Sequence, residues 1–462
     1  MIDPFCRLSA TRFVASISFR FGLLLGAAAL SLAAGKTVQA QMTTQMLIGD
    51  SVSEIGNRYG DVDEAIKRFT NHDVLAARQF LDAAKKKDPN LPPVDMMLAK
   101  MYFLAGNVQA GRVSLEKTAM ENPEDPEAYL ILADQAMQQG RTIDADALYE
   151  KGMSIANKFT GNAKRKRNFE IRARSGRAGV AQRRKNWDMA IGDLKALLQV
   201  DPDNAAAHYR LGQCMFMQKQ FKEGAAEFVA AKKADKNLPE PAVAAALMYD
   251  QLKMNNETQQ MFDRAMQTSK TDPATLTAYA QWLIKTGAVD KAEGILAEAR
   301  KSNAGNLNLL ILSGVAAHMQ KKLKPAEDFF VEALGIAPAN VDVINQLALL
   351  LIEQPGQPQR DRALQFATMC AQLNAQSPDA QITLAWVLYQ LGRQADAETA
   401  LRSGLQLGNL SPDSSYLVSK ILVDQNKGDT AKQILEAALD NDSPGIFIYR
   451  KDAQTLLDSL KK

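Results

Sequence analysis

Histidine and cysteine are nearly missing from this chain, with three of each in 462 residues. His72, His208 and His318 stand far apart, and no His-x-x-x-His or mixed Cys/His spacing occurs, so the common metal-ligand motifs are excluded. No strand-like segment precedes a glycine-rich turn that could cradle a phosphate, and no Ser or Asp has a histidine at a suggestive spacing. The expectation is a non-enzyme with no catalytic residue, metal or cofactor. Aromatic residues are also scarce, at 6%. Ala, Leu, Lys and Gln, which lose little rotamer entropy in a helix, are abundant instead, and this favours an all-α fold over a sheet.

Long apolar runs are confined to one place. Phe21 to Ala34 follows Arg7, Arg12 and Arg20 and precedes Val38-Gln39-Ala40. The run is shorter than the roughly 20 residues that cross a bilayer. It reads as a signal peptide over residues 1–40, cut before Gln41, and implies export to the periplasm or cell envelope. An uncleaved anchor, or a start at Met42, is the competing reading. No Leu-x-x-Cys at the cleavage point suggests a lipid anchor. Net charge is missing too: residues 1–40 hold four of the 55 bases and one of the 52 acids, leaving 51 of each. That balance argues for neither nucleic acid nor a membrane surface as partner.

What the chain does have is a period. Units of 34 residues start at positions 58, 92, 126, 171, 205, 239, 273, 307, 341, 378 and 412, broken only by a basic insertion at 160–170 and three extra residues near Gln354 to Gln357. Position 20 of every unit is small, as at Ala77, Gly111, Gly224 and Ala326; position 24 is mostly large, as at Leu81, Phe228, Phe262 and Phe330; position 27 is mostly small. The i, i+4, i+7 spacing marks one helix face, and a second such face precedes it at positions 4, 7, 8 and 11. Each unit is therefore two helices joined at turns such as Ala105-Gly106-Asn107 and Leu391-Gly392-Arg393. Cys214 and Cys370 fall four units apart, too far for a disulfide, and are expected as small buried helix residues.

These residues resemble the tetratricopeptide-repeat family over about residues 58 to 445. The resemblance implies a right-handed α-solenoid of about eleven helix-turn-helix units. Residues 41–57 lack a period and are expected as a linker. Residues 446–462, with Ile446-Phe447-Ile448-Tyr449 followed by Ala453, Leu456, Leu457 and Leu460, are expected as a closing helix over the last unit.

In the resembled family, positions 2, 5, 9 and 12 of the first helix line a concave groove. Here they include Ile382, Trp386, Tyr389 and Tyr416, with Tyr209 and Phe216 farther up the chain, side chains suited to burying a partner peptide. No unit pairs Lys at position 5 with Asn at position 9, so a clamp for a partner's terminal carboxylate is not supported. The strongest local charge deviation is Lys164, Arg165, Lys166, Arg167, Arg172, Arg174, Arg177, Arg183, Arg184 and Lys185, opposed only by Glu170. The leading expectation is a scaffold of the periplasm or cell envelope that holds a protein or peptide in the groove to assemble or stabilise a complex. The alternative is an accessory of exopolysaccharide export, binding anionic polysaccharide through the basic stretch 164–185. Nucleic acid is not an expected partner.

Overall fold

A computed structural model describes residues 42–49, 51, 52, 59–440 and 445–461, apart from the side chain of Ser302. The expected signal peptide at 1–40, Arg58 at the first unit's start and Pro444 lie outside these residues. The described residues form 24 helices and no strand. A short helix, Thr44–Ile48 (α1), comes first and eleven antiparallel pairs follow. The first four are Gly60–Thr70 with Val74–Lys87 (α2, α3), Val94–Leu104 with Val108–Glu121 (α4, α5), Glu127–Gln138 with Thr142–Lys158 (α6, α7), and Ala163–Arg183 with Trp187–Val200 (α8, α9). Next are Ala205–Met217 with Phe221–Ala234 (α10, α11), Pro241–Gln251 with Asn255–Thr268 (α12, α13), Pro273–Lys285 with Val289–Ser302 (α14, α15), and Leu307–Met319 with Leu323–Ile336 (α16, α17). The last three are Val341–Ile352 with Gln357–Leu373 (α18, α19), Pro378–Gln390 with Gln394–Leu407 (α20, α21), and Pro412–Asp424 with Gly428–Asp440 (α22, α23), before a final helix, Arg450–Leu460 (α24).

Local chemistry marks each boundary. Asn107, Asn186, Asn204, Asp272, Asn306, Asn340, Ser377 and Ser411 cap first or second helices by accepting a backbone N–H from the first turn. The turn inside a unit falls on position 15, where the backbone is left-handed: His72, Gly106, Gly140, Lys185, Lys219, Lys253, Gly287, Lys321, Gly392 and Asn426. In the ninth unit the insertion moves this role to Gly356. The two bonds that close such a turn recur, for example from the N–H groups of Asn107 and Gly106 to the carbonyls of Tyr102 and Phe103.

Packing follows the period. Small residues at position 20 are buried against the first helix of the same unit, and large ones at position 24 fill the space beside them. In the fifth unit, a Cβ added to Gly224 would stand 2.9 Å from the Gly212 carbonyl oxygen and 2.6 Å from the Phe216 ring, so α10 and α11 meet backbone to backbone. First helices of successive units also touch, as α6 with α8, α18 with α20 and α20 with α22, while second helices make no comparable contact. The array therefore curves with its first helices on the inner side.

Two segments differ from the sequence-based expectation, and a third is given its form. The described part of 41–57 is not a free linker: α1 buries Leu47 and Ile48 in one cluster with Met97 and Met101 of α4. Within the basic insertion α8 begins at Ala163, so the fourth unit's first helix is over-long, one of the two readings the charge run allows. The residues before α24 reach farther than the last unit. Ile446 and Ile448 pack on a core that runs from α12 to α18, and Phe447 and Tyr449 join the core of the last two units.

Candidate functional site

The inner wall is the surface this architecture offers to a partner, and the placement of the expected groove residues corrects their register. Ile382 and Phe216 are fully buried at 0%, and Trp386 and Tyr416 keep only 7% and 8% of their surface. The reason lies in helix phase. Position 5 points at position 27 of its own second helix, as Ile382 does at Gly404 and Leu130 at Gly152; position 12 points at position 20, as Phe216 does at Gly224 and Phe103 at Gly111. These stripes glue a unit together. Tyr209 packs on Phe228 of α11, its ring 5.2 Å away. The structure does bring Ile382, Trp386, Tyr389 and Tyr416 into one cluster, with Tyr389 the most open of them. Trp386 and Tyr389 stack at 6.2 Å, the Tyr389 hydroxyl donates to Asp424 at 2.9 Å, and the Lys420 ammonium sits 5.1 Å from the Trp386 ring.

Toward the N-terminal end of α18, α20 and α22 the inner wall is formed instead by positions 2 and 6. Asp342, Asp379 and Asp413 repeat at position 2, and Gln346, Thr383 and Leu417 at position 6, around a cavity of about 200 Å³. Sequence reasoning missed position 6. The run of Asp at position 2 in three consecutive units was the available signal.

Half of the basic stretch is tied into the structure by ion pairs. Arg165 is buried and donates to Asp125 and Glu127, both at 2.8 Å, between the rings of Phe159 and Phe169. Arg167 pairs with Asp201, Arg172 with Asp134, Arg177 with Asp193 and Arg184 with Asp146. Lys164, Lys166 and Arg183 donate to the carbonyls of Gly49, Asn157 and Met137. Arg174 lies near Asp193, and Lys185 forms the left-handed turn of its unit. The pairing acids lie elsewhere in the chain, so a count along one segment does not show them. Burial of Glu127 would raise its pKa, but Lys100 and Arg165 overcome this and bring it down to about 2.

Both ends of the described chain sit on the inner wall. Lys100, Asn162 and Lys164 donate to the carbonyls of Leu47, Ser51 and Gly49 at 3.2, 2.9 and 2.7 Å. At the other end Asp413 accepts the Tyr449 N–H at 3.0 Å, the Tyr449 hydroxyl donates to Glu353 at 2.8 Å, and His318 Nε2 lies 3.1 Å from the same carboxylate oxygen. Tyr416 stacks on Tyr449 at 5.2 Å, and Lys321 reaches Asp452 at 3.0 Å. Among the described residues no group of three or more His, Cys, Asp or Glu could hold a metal ion. Cys214 and Cys370 are unpaired and buried, as expected, and burial pushes both thiols up to about 11.

A curved stack of helix pairs, its first helices inward and its repeated small and large residues at the pair interface, defines a helical-repeat scaffold. Residues 181–248 match the model of the family described as Tetratricopeptide repeat. The same helix-pair geometry continues on both sides of the matched segment. No curated protein matches. Solved structures that match include yeast Tom70, at 16% identity and a TM-score of 0.37 over 87% of this chain and 95% of that one. A tetratricopeptide repeat protein from Parabacteroides merdae matches at 16% and 0.34 over 64% and 100%, and a thermophilic one from Thermus thermophilus at 16% and 0.35 over 41% and 99%.

Proposed function

We propose that this chain is a non-enzymatic scaffold of the periplasm or cell envelope that holds an extended segment of a partner protein on its inner wall. The observation that carries the reading is that the wall already holds polypeptide in cis. Lys100, Lys164 and Asn162 take the backbone carbonyls of Leu47, Gly49 and Ser51, and Asp413 takes a backbone N–H while Phe447 and Tyr449 are buried. A surface that satisfies main-chain groups and buries alternate side chains is what an extended ligand needs. With Arg165, Arg167, Arg172, Arg177 and Arg184 already paired with acids, the basic stretch gives less support to a polysaccharide partner.

Site-specific photo-crosslinking in cells tests this directly. A crosslinker at Tyr389 or Gln346 should capture a partner, while one at Met120 or Ile143, exposed apolar residues of second helices, should not. Capture only from Met120 or Ile143 would move the binding surface to the outer face. Export is tested by N-terminal sequencing of the protein from fractionated cells: a start at Gln41 in the envelope fraction supports it, and a cytosolic chain starting at Met1 or Met42 overturns it.

A further inference from the structure

The cavity at the N-terminal ends of α18, α20 and α22 is acidic, rich in acceptors and internally unbalanced. Its lining includes Asp342, Asp379 and Asp413, with Asn345, Gln346 and Thr383, and it contains no Lys, Arg or His. None of the three aspartates forms an ion pair among the described residues, although Asp379 accepts the Ser411 N–H at 2.9 Å and Asp413 accepts that of Tyr449. An aspartate in a helix's first turn is ordinarily stabilised by the helix dipole. Neighbouring turns nevertheless bring like charges near each other, and Asp379 bears unfavourably on Asp413.

A second observation points the same way. Thr383 lines the cavity, is only 1% exposed, and its Oγ1 has no hydrogen-bond partner in the protein. The Gln346 Oε1, on the same wall, is likewise buried and unpartnered. Each unmade bond of this kind is unfavourable unless a ligand completes it. Asp342 and Asn374 are exposed and form the rim, so the cavity can be entered from solvent.

We propose that this cavity receives a basic side chain, Arg or Lys, from the polypeptide segment held on the inner wall. The inference rests on the scaffold reading above and adds the chemistry of the partner. Acceptors are what the site has in surplus, and guanidinium carries five donors and ammonium three, with no acceptor to leave unmet. A metal ion fits less well, because the carboxylates are not gathered into any cluster of three. Asp413 is shared between the cavity and the Tyr449 backbone, so a basic residue bound here would lie directly beside the cis segment.

The test uses the full chain and a displayed library of random dodecapeptides. Selected peptides should be enriched in Arg or Lys. Replacing the basic residue by citrulline or norleucine should weaken binding about tenfold or more, as expected for lost bonds to charged groups, read by fluorescence anisotropy. That difference should largely vanish in the Asp379→Asn/Asp413→Asn variant, whose fold is verified by circular dichroism, and persist in Asp429→Asn on the second helix of the last unit. Peptides that bind without a basic residue, or a citrulline effect unchanged in the double variant, would overturn this inference and leave the scaffold reading intact. Selection of no peptide at all would overturn both. Spermidine binding as tightly as the peptides would reassign the cavity to a free polyamine and sink the assignment to a partner side chain.

Discussion

Arg165 shows how one residue's role is settled by what surrounds it. Its guanidinium is buried between two phenylalanine rings and compensates two buried acids, Asp125 and Glu127. Removing one partner of a buried ion pair typically destabilises by about 3–5 kcal/mol, because the remaining charges stay desolvated. Arg165→Gln is therefore expected to weaken the N-terminal repeats by that order in urea unfolding, with little dependence on salt. A surface charge in the same experiment would change stability by less than about 1 kcal/mol. Two carboxylates give opposite pH responses. Glu127 is held below its ordinary value of 4.5, so its contribution is present above 4.5 and is lost as pH falls toward about 2. Asp413 is raised from 3.8 to about 7, chiefly by burial, so its contribution is full below 3.8 and is lost as pH rises through 7. Hydrogen exchange by segment should show the last units loosening from pH 5 to pH 8 in the wild type, with a flatter profile in Asp413→Asn. The first units should loosen only below pH 4.5.

At the scale of the helix pair, stability depends on a left-handed turn and a close approach. Lys219 occupies the left-handed position at φ 63°, a conformation that is unfavourable by roughly 1–2 kcal/mol for a residue with a Cβ. Its side chain is exposed, so Lys219→Gly should stabilise the fifth unit by about 0.5–1 kcal/mol, measured by urea titration. The reverse change, Gly106→Ala, should destabilise the second unit although the added methyl meets nothing within 4 Å, because φ and not space is limiting there. Gly224→Ala fails for the other reason. Its methyl would press on the Gly212 carbonyl and the Phe216 ring, and the expected loss is about 1–3 kcal/mol.

For the molecule as a whole, the segment from Gly445 to Lys461 ties the last unit back to the eighth and ninth. Tyr449 links Glu353, His318, Tyr416 and Asp413, and Lys321 holds Asp452. A chain ending at residue 444 should bind a hydrophobic dye more strongly than the wild type and melt at a lower temperature, as Tyr416 loses its stacking partner and Glu353 its hydroxyl donor. Tyr449→Phe removes only the bond to Glu353 and should lower stability by about 1–2 kcal/mol without the rise in dye binding. The repeat, its helix pairs and the buried state of both cysteines were legible in the sequence, because a 34-residue period reports contacts made between neighbours a few residues or one helix apart. Position 20 against position 24 is such a contact, and so is the turn at position 15. The site was less legible. Ile382 and Phe216 look like groove residues until helix phase turns them onto Gly404 and Gly224, and Arg165, Arg167 and Arg184 look unpaired until acids from distant parts of the chain arrive beside them. The sequence alone determined the all-α repeat through local propensity, capping and spacing. Only the tertiary structure decided which stripe faces inward, which charges are paired and where the first and last described segments settle, since each depends on how successive units curve and on contacts spanning as many as 131 residues.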